Sequence, residues 1–395
     1  MVHRTDRILD NIPVGALGMI SLPGCEEMGN RVNDYLVKWR KETNHEHKDN
    51  IVFSGYENET YLINAKVPRF GSGEAKGIIE ESVRGKDLYL MVDVCNYSLT
   101  YSLSGNTNHM SPDDHFQNLK RIIAAVGGKA RRLNVIMPFL YESRQHKRSA
   151  RESLDCALAL QELVRMGVDN IITFDAHDPR VQNAIPLSGF ETVRPTYQFI
   201  KGLLRSFDDL QLDSEHLMAI SPDEGATGRA IYFANVLGID MGMFYKRRDY
   251  TQVVNGRNPI VAHEFLGSSV EGKDVIILDD MISSGDSILD VAKQLKARKA
   301  KRIFAAATFG LFTNGMEKFD EAYEEGLIHG ILTTNLIYQT PELLSRPYYI
   351  NCDMSKYVAL LIDTLNHDGS ISGLLDPFDR IQAAVEAYKK GEPIE

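Results

Sequence analysis

The sequence predicts an α/β protein of two domains, each a largely parallel sheet covered by helices. Two observations carry this. Short apolar runs of strand length alternate with amphipathic helical patterns along most of the 395 residues. The clearest unit is Val275–Ser287, where Val275 to Leu278 run into the adjacent acids Asp279 and Asp280 and then into small residues around Gly285. Apolar Ile288, Val291, Ala292 and Leu295 follow at i, i+3, i+4, i+7, so the unit reads as buried strand, tight loop and amphipathic helix.

Composition narrows the class. With 43% hydrophobic and 25% charged residues the chain is of globular type. Its formal net charge of -10 argues against bulk electrostatic partnership with nucleic acid or an anionic membrane. No apolar run approaches ~18 residues, so no membrane span is expected, and Asp6 and Asp10 fit no secretory signal. The four cysteines lie scattered, with no Cys-x-x-Cys pair, as in a cytoplasmic protein with reduced, buried thiols.

In order along the chain, Ala16–Leu22 is a strand candidate and Glu26–Trp39 a helix. The polar segment Lys41–Asn50 reads as a surface excursion, and Ile51–Val67 as strands. Phe70–Glu74 is a Gly-rich turn; its Gly71/Gly73/Gly77 spacing is off by one for a dinucleotide loop. Asp87–Val94 is a strand. Ser111-Pro112-Asp113-Asp114 is a helix start, with a capping Ser, Pro in the first turn and acids against the dipole. That helix stops at Gly127-Gly128. Leu133–Phe139 is a strand, Tyr141–Arg148 a basic loop, and Ser149–Met166 a helix ending at Gly167.

Further strands fall at Asn170–Phe174, Leu217–Ser221, Met241–Tyr245, Arg302–Phe309 and Gly330–Thr334. Helices fall at Thr196–Phe207, before Leu237, near Met316–Glu325 and at Met354–Asn366. Lys246-Arg247-Arg248 opens a mobile basic loop reaching about Pro259. The boundary is placed near Gly167, giving domains over 1–167 and 168–350 and a C-terminal helix and tail over 351–395 that packs back on the N-terminal domain. The two halves are candidates for distant copies.

Chemistry gathers at the ends of the predicted strands, where ligands of open α/β sheets bind. Asp279 and Asp280 suit vicinal sugar hydroxyls, since ionised carboxylates only accept. The loop amides at Ser283, Ser284, Gly285, Asp286 and Ser287 suit a phosphate at a helix start. A βα turn with solvated acids is the plainer reading. His177, between Asp175 and Asp178, fits a metal or phosphate contact, or a capped loop histidine. Asp223 and Glu224 fit Mg²⁺ or an acidic helix start. Lys246 and Arg248 fit charge neutralisation in phosphoryl transfer or a solvated loop. Arg144 and Gln145 fit a nucleotide or plain surface charge. The Gly-Lys dipeptides at Gly85, Gly128 and Gly272 are not followed by Ser or Thr, so no Walker A loop is present.

Taken as an ordered set, these motifs resemble the ribose-phosphate pyrophosphokinases, the phosphoribosyl diphosphate (PRPP) synthetases, from about Gly24 to Ile371. Asp279–Ser287 is similar to the PRPP loop shared with type I phosphoribosyltransferases. Arg144-Gln145 resembles the ATP-holding Arg-Gln element, Asp175-Ala-His177 the Asp-Leu-His that contacts Mg²⁺–ATP, and Ser221-Pro-Asp223 the Ser-Pro-Asp near the metal. Lys246-Arg-Arg248 resembles the catalytic flexible loop. Phe70-Gly-Ser-Gly-Glu74 resembles the adenine-contacting hairpin that reaches into a neighbouring subunit.

The resemblance implies two tandem type I phosphoribosyltransferase-like domains. It also implies Mg²⁺-dependent transfer of diphosphate from ATP to ribose 5-phosphate for nucleotide biosynthesis, by a homo-oligomer (hexamer or dimer) that shares the adenine site between subunits. Lys246 and Arg248 are then catalytic, Phe70, Glu74, Arg144, Gln145 and His177 hold ATP, and His177 and Asp223 hold the metal. Two rival readings are a non-catalytic regulatory subunit and a phosphoribosyltransferase that consumes PRPP.

The sequence departs from the family pattern in four places. Ser72 stands where Asp is usual, removing an acceptor for the adenine amino group, and an extra residue lies around Glu142-Ser143. Ser283 replaces a common loop Asp. Asp286 replaces a usual loop Gly, and a carboxylate there disfavours phosphate unless it points away.

Overall fold

A computed structural model describes residues 12–46, 56–248 and 260–394. The chain forms two compact α/β units, and the first runs to Arg194. It therefore extends past the boundary expected near Gly167, because the next two strands join its sheet.

The N-terminal unit contains β1 (Ala16–Ser21), α1 (Glu26–Glu46), the short pair β2 (Ala65–Lys66) and β3 (Ile78–Ile79), and β4 (Lys86–Met91). A hairpin of β5 (Thr100–Leu103) and β6 (Asn106–His109) precedes α2 (Pro112–Val126), β7 (Arg132–Ile136), α3 (Asp155–Arg165), β8 (Asn170–Phe174) and β9 (Gly189–Val193). The sheet is parallel throughout, in the order β1-β4-β7-β8-β9.

Helix α2 starts as its sequence predicts. The Ser111 hydroxyl accepts the Asp114 amide while Asp114 accepts the Ser111 amide, and Gly127 ends the helix in the left-handed region at φ 57°. Three expectations change. Helix α1 continues to Glu46, so residues 41–46 are helical rather than a surface excursion, and residues 47–50 lie outside the described residues. The helix is held there by Arg40, almost fully buried, which donates to Asn366 at 2.6 Å and pairs with Asp363 at 3.4 Å.

Helix α3 begins at Asp155 rather than Ser149. The Ser149 amide is taken by Glu152 and the Ser153 carbonyl by Gln145, so this stretch is tied as a loop. The strands expected over 51–67 reduce to a Met19–Leu62 bridge and β2, with residues 51–55 outside the described ones. The β5–β6 hairpin turns on Ser104 and Gly105, both at positive φ.

The C-terminal unit contains α4 (Thr196–Ser206), β10 (Leu217–Ser221), α5 (Thr227–Leu237), β11 (Asp240–Arg248), β12 (Ile260–Leu266) and β13 (Asp274–Ile282). It continues through α6 (Asp286–Ala297), β14 (Arg302–Gly310), α7 (Glu317–Glu324), β15 (Gly330–Thr334), α8 (Pro341–Leu344) and β16 (Tyr349–Cys352). The sheet order is β12-β11-β10-β13-β14-β15-β16, with β12 alone antiparallel to its neighbour. The C-terminal stretch then divides. Helices α9 (Ser355–Asn366) and α10 (Ser372–Leu375) belong to the N-terminal unit, and α11 (Phe378–Lys390) belongs to the C-terminal one.

Strand β13 is apolar on both faces for a visible reason. Val275 and Ile277 pack with Val291, Leu295 and Phe319 on one side, while Ile276 and Leu278 pack with Phe199, Phe233 and Ile381 on the other. The two sheets share a device at their strand starts. Asp87 on β4 lies opposite Arg132 on β7, joined by two 2.8 Å bonds, and Asp274 on β13 lies opposite Arg302 on β14, joined at 2.9 and 2.6 Å. These matched clasps make the two halves look alike where residue identity does not.

All four cysteines are free; Cys25, Cys156 and Cys352 are buried and Cys95 only partly so. No helix among the described residues is long and apolar enough to cross a membrane.

Asp93, just beyond β4, is buried and accepts the amides of Cys95 and Tyr338. Burial raises its carboxyl to about 7 against the pull of those amides. The folded value lies above the unfolded ~3.9, so this group makes stability fall as pH rises between the two. Asp93→Asn, which keeps an acceptor oxygen, should therefore gain on the wild type in urea melts as pH climbs from about 4.5 to about 7. A wild-type–variant difference that stays flat with pH contradicts this.

Candidate functional site

Strand β13 carries the acid pair to its end. Asp280 is buried and Asp279 partly buried, and the Asp279 Oδ1 accepts the Asp280 amide at 2.8 Å. Burial, then the charge of Asp280 and at longer range that of Asp223, pushes the Asp279 carboxyl well above the usual carboxylate range. Helix α5 supplies a counter-charge: Arg229 Nη2 lies 4.0 Å from Asp280 Oδ2. The pair thus resists double ionisation unless hydroxyl donors or a cation reach it.

The loop after β13 is pinned from below. The Thr313 amide donates to the Ser283 carbonyl at 2.9 Å, and Gly285 adopts φ 84° as the residue before α6. A Cβ on Gly285 would fall 2.3 Å from the Phe319 ring, so both the backbone angle and the space require glycine. Asp286, the departure from the family pattern, is engaged elsewhere. Its Oδ1 accepts from Lys318 at 2.6 Å and its Oδ2 from the Ser284 hydroxyl at 2.9 Å, and these bonds hold its carboxyl below the usual range.

Asp223, after β10, turns its Oδ1 to the amides of Gly225 and Ala226 at 2.9 and 3.3 Å, just ahead of α5. Asp223 thus closes the turn ahead of α5 rather than lying in the first turn of the helix, and its field also reaches Asp279. Lys246-Arg247-Arg248 differs from expectation. These residues are the end of β11, paired with β12 in a register that sets Lys246 opposite His263, with an irregularity between Arg247 and Arg248. They form a strand rather than a loop because β12, which the sequence did not reveal, supplies their partner. The mobile segment expected beyond them, 249–259, lies outside the described residues.

In the N-terminal unit, Phe70–Glu74 is a tight turn closed by Phe70 N–H to the Glu74 carbonyl at 2.7 Å, with Phe70 53% exposed. Its base is held by Arg69, which donates to the Gly73 carbonyl and to Asp114 and stacks 3.9 Å over Tyr101. Ser72 donates to Glu74 at 2.9 Å. In the 141–153 loop, Gln145 spends its amide nitrogen on the carbonyls of Lys147 and Ser153, and Arg144 is exposed.

His177 follows Asp175, a non-glycine residue at φ 41°. Its ring lies 5.3 Å from that of His146, whose Nε2 is 3.5 Å from Asp178. Arg180 holds the Asp178 carboxyl down at about 2. So the structure sets His177 beside His146, the residue after Gln145, and groups Asp223 and Asp280 around Asp279, with Arg229 against Asp280. Arg69, His146, Arg229 and Lys318 were not singled out from sequence. Of these, only His146 carried a local signal, its place directly after Arg144-Gln145. Among the described residues no three His, Cys, Asp or Glu side chains are gathered to hold a metal ion unaided.

Gly285→Ala should cost about 2 kcal/mol or more, from the left-handed backbone and the Phe319 overlap. Chemical denaturation reads this directly, and a loss below about 0.5 kcal/mol contradicts the pinned-loop geometry.

The family profile described as the N-terminal domain of ribose phosphate pyrophosphokinase matches residues 17–167, and the phosphoribosyl transferase domain profile matches residues 194–336. The ribose-phosphate pyrophosphokinase of Vibrio parahaemolyticus is 29% identical over 319 residues, spanning 80% of this chain and 92% of its own. That of Mycoplasma genitalium is 29% identical over 272 residues, spanning 68% of this chain and 74% of its own. The crystal structure of phosphoribosylpyrophosphate synthetase from Mycobacterium smegmatis covers 90% of this chain and all of that one, with a TM-score of 0.68 and 21% identity, which shows the shared fold. With both profiles in order along one chain, and relatives alike over most of their own length, the chain belongs to the ribose-phosphate pyrophosphokinase family.

Proposed function

We infer that the chain is a ribose-phosphate diphosphokinase. The anomeric hydroxyl of ribose 5-phosphate attacks the β-phosphorus of ATP; a new O–P bond forms, the bond to the α,β-bridging oxygen breaks, and PRPP and AMP result. The observation that carries this is the desolvated acid pair Asp279/Asp280 leading into a loop pinned around Gly285, within a chain matched by both family profiles.

The roles are these. Asp279 and Asp280 accept the ribose hydroxyls, whose donors favour the ionised pair. The amides over Ser283, Ser284, Gly285, Asp286 and Ser287 cup the 5-phosphate at the start of α6. Lys246 and Arg248 neutralise charge on the transferring group. Phe70 and Glu74 hold the adenine, with Ser72 restraining the Glu74 carboxylate. Arg144, Gln145 and His177 hold the polyphosphate.

Mg²⁺ is a hard ion that takes oxygen ligands, a few carboxylates together with phosphate oxygens and water. Asp223 fits that chemistry, whereas the His177 imidazole fits better as a hydrogen-bond partner of the nucleotide. Bound Mg²⁺ would offset the charge of the triphosphate. We place the enzyme in the cytoplasm, consistent with its free cysteines. We further propose a homo-oligomer in which the exposed Phe70 completes a neighbour's adenine site.

The assay is AMP release from ATP that requires both ribose 5-phosphate and Mg²⁺. Asp279→Ala/Asp280→Ala should lose roughly 10²-fold or more in rate, and Lys246→Ala roughly 10³-fold in kcat, each with an unchanged far-UV spectrum. Wild-type turnover in the acid-pair variant would remove the assignment.

A further inference from the structure

The Asp286 carboxylate sits in the loop assigned to the 5-phosphate, where an uncompensated negative charge opposes a dianion. Yet Asp286 is not uncompensated. Lys318, on the neighbouring helix α7, meets its Oδ1 at 2.6 Å, and the Ser284 hydroxyl donates to Oδ2 at 2.9 Å. The next residue of α7, Phe319, packs against Gly285 so closely that no Cβ fits there. The chain just before α7 adds a third tie, from the Thr313 amide to the Ser283 carbonyl. Three of the loop residues are therefore held from the α7 side: Ser283 by the approach to α7, Gly285 by Phe319 and Asp286 by Lys318.

The bond raises the basicity of Lys318 and lowers that of Asp286. Both side chains are about half exposed, so the pair contributes little to folding stability. Its effect belongs to the loop's electrostatics instead.

We propose that Lys318 is a positioning residue for ribose 5-phosphate: it engages and neutralises the Asp286 carboxylate, so that the loop offers the phosphate its amides without opposing charge. This rests on the assignment of the loop to the 5-phosphate. It explains how a carboxylate is tolerated at a loop position where a phosphate ligand would otherwise exclude it.

The test is calorimetric titration of the full chain with ribose 5-phosphate at low salt, beside steady-state kinetics. Lys318→Met should weaken binding roughly tenfold, the order for one unit charge a few Å from a dianion in a partly screened site, and high salt should narrow the gap. KM for ribose 5-phosphate should rise by the same factor, while kcat and KM for ATP hold within about twofold. Lys318→Arg should keep near wild-type affinity. Lys318→Met/Asp286→Gly should recover most of it, because the charge needing neutralisation has gone; a merely structural tie would leave the double variant impaired. Equal binding by wild type and Lys318→Met overturns the proposal and leaves the loop assignment standing. A wild type that binds no ribose 5-phosphate overturns the loop assignment and the proposal with it.

Discussion

The chemistry of the C-terminal unit depends on one constraint: β13 is buried on both faces, so its polar groups are forced to its end. Its alternate side chains serve two separate cores, which fixes the register of the strand. Where the apolar run stops, Asp279 is left partly buried and Asp280 buried. Burial, and then the neighbouring charge of Asp280, disfavour ionisation of Asp279. Hydrogen-bond donors such as a sugar's vicinal hydroxyls favour it. The buried strand therefore sets the two carboxylates side by side at its end, which is what the proposed sugar contact draws on.

The loop beyond is shaped by the same economy. It has to turn from strand to helix within a few residues, which Gly285 achieves in the left-handed region over the face of Phe319. Helix α7 thereby acts as the floor of the loop, and its neighbouring lysine answers the one carboxylate in the turn. In the N-terminal unit the strand ends carry different chemistry, with histidines and a guanidinium–carboxylate pair where the other unit has its acids. Yet both sheets begin with an Asp–Arg clasp across adjacent strands in matching register. Alike at their starts and unlike at their ends, the units read as copies of one framework given different loops.

What was legible in the sequence follows from range. Val275–Leu278 and the helix after Gly285 announce themselves because hydrophobic period and turn chemistry are local. Ser111-Pro112-Asp113-Asp114 does so because a capping box closes within four residues. The hairpin of Thr100–Leu103 and Asn106–His109 stayed hidden, being short and polar. Strand β12 stayed hidden too, and with it the strand character of Lys246–Arg248, since a strand end is defined by a partner more than ten residues away. The acids of the candidate site were readable as motifs. The cations that serve them were not: Arg229 reaches Asp280 and Lys318 reaches Asp286 only through packing of one element on another. Sequence motifs show which groups could carry charge, and the fold decides which of those charges are answered.

In the inferred reaction the anomeric oxygen of ribose 5-phosphate is kept, and phosphorus is where attack occurs. Ribose 5-phosphate carrying ¹⁸O at C1, incubated with Mg²⁺ and ATP, tests it directly by ³¹P NMR of the product. The label should be retained in the bridge between C1 and the diphosphate to the same extent as in the unreacted ribose 5-phosphate, with one AMP formed per PRPP. A product depleted of label relative to the ribose 5-phosphate left unreacted, or ADP in place of AMP, would overturn it.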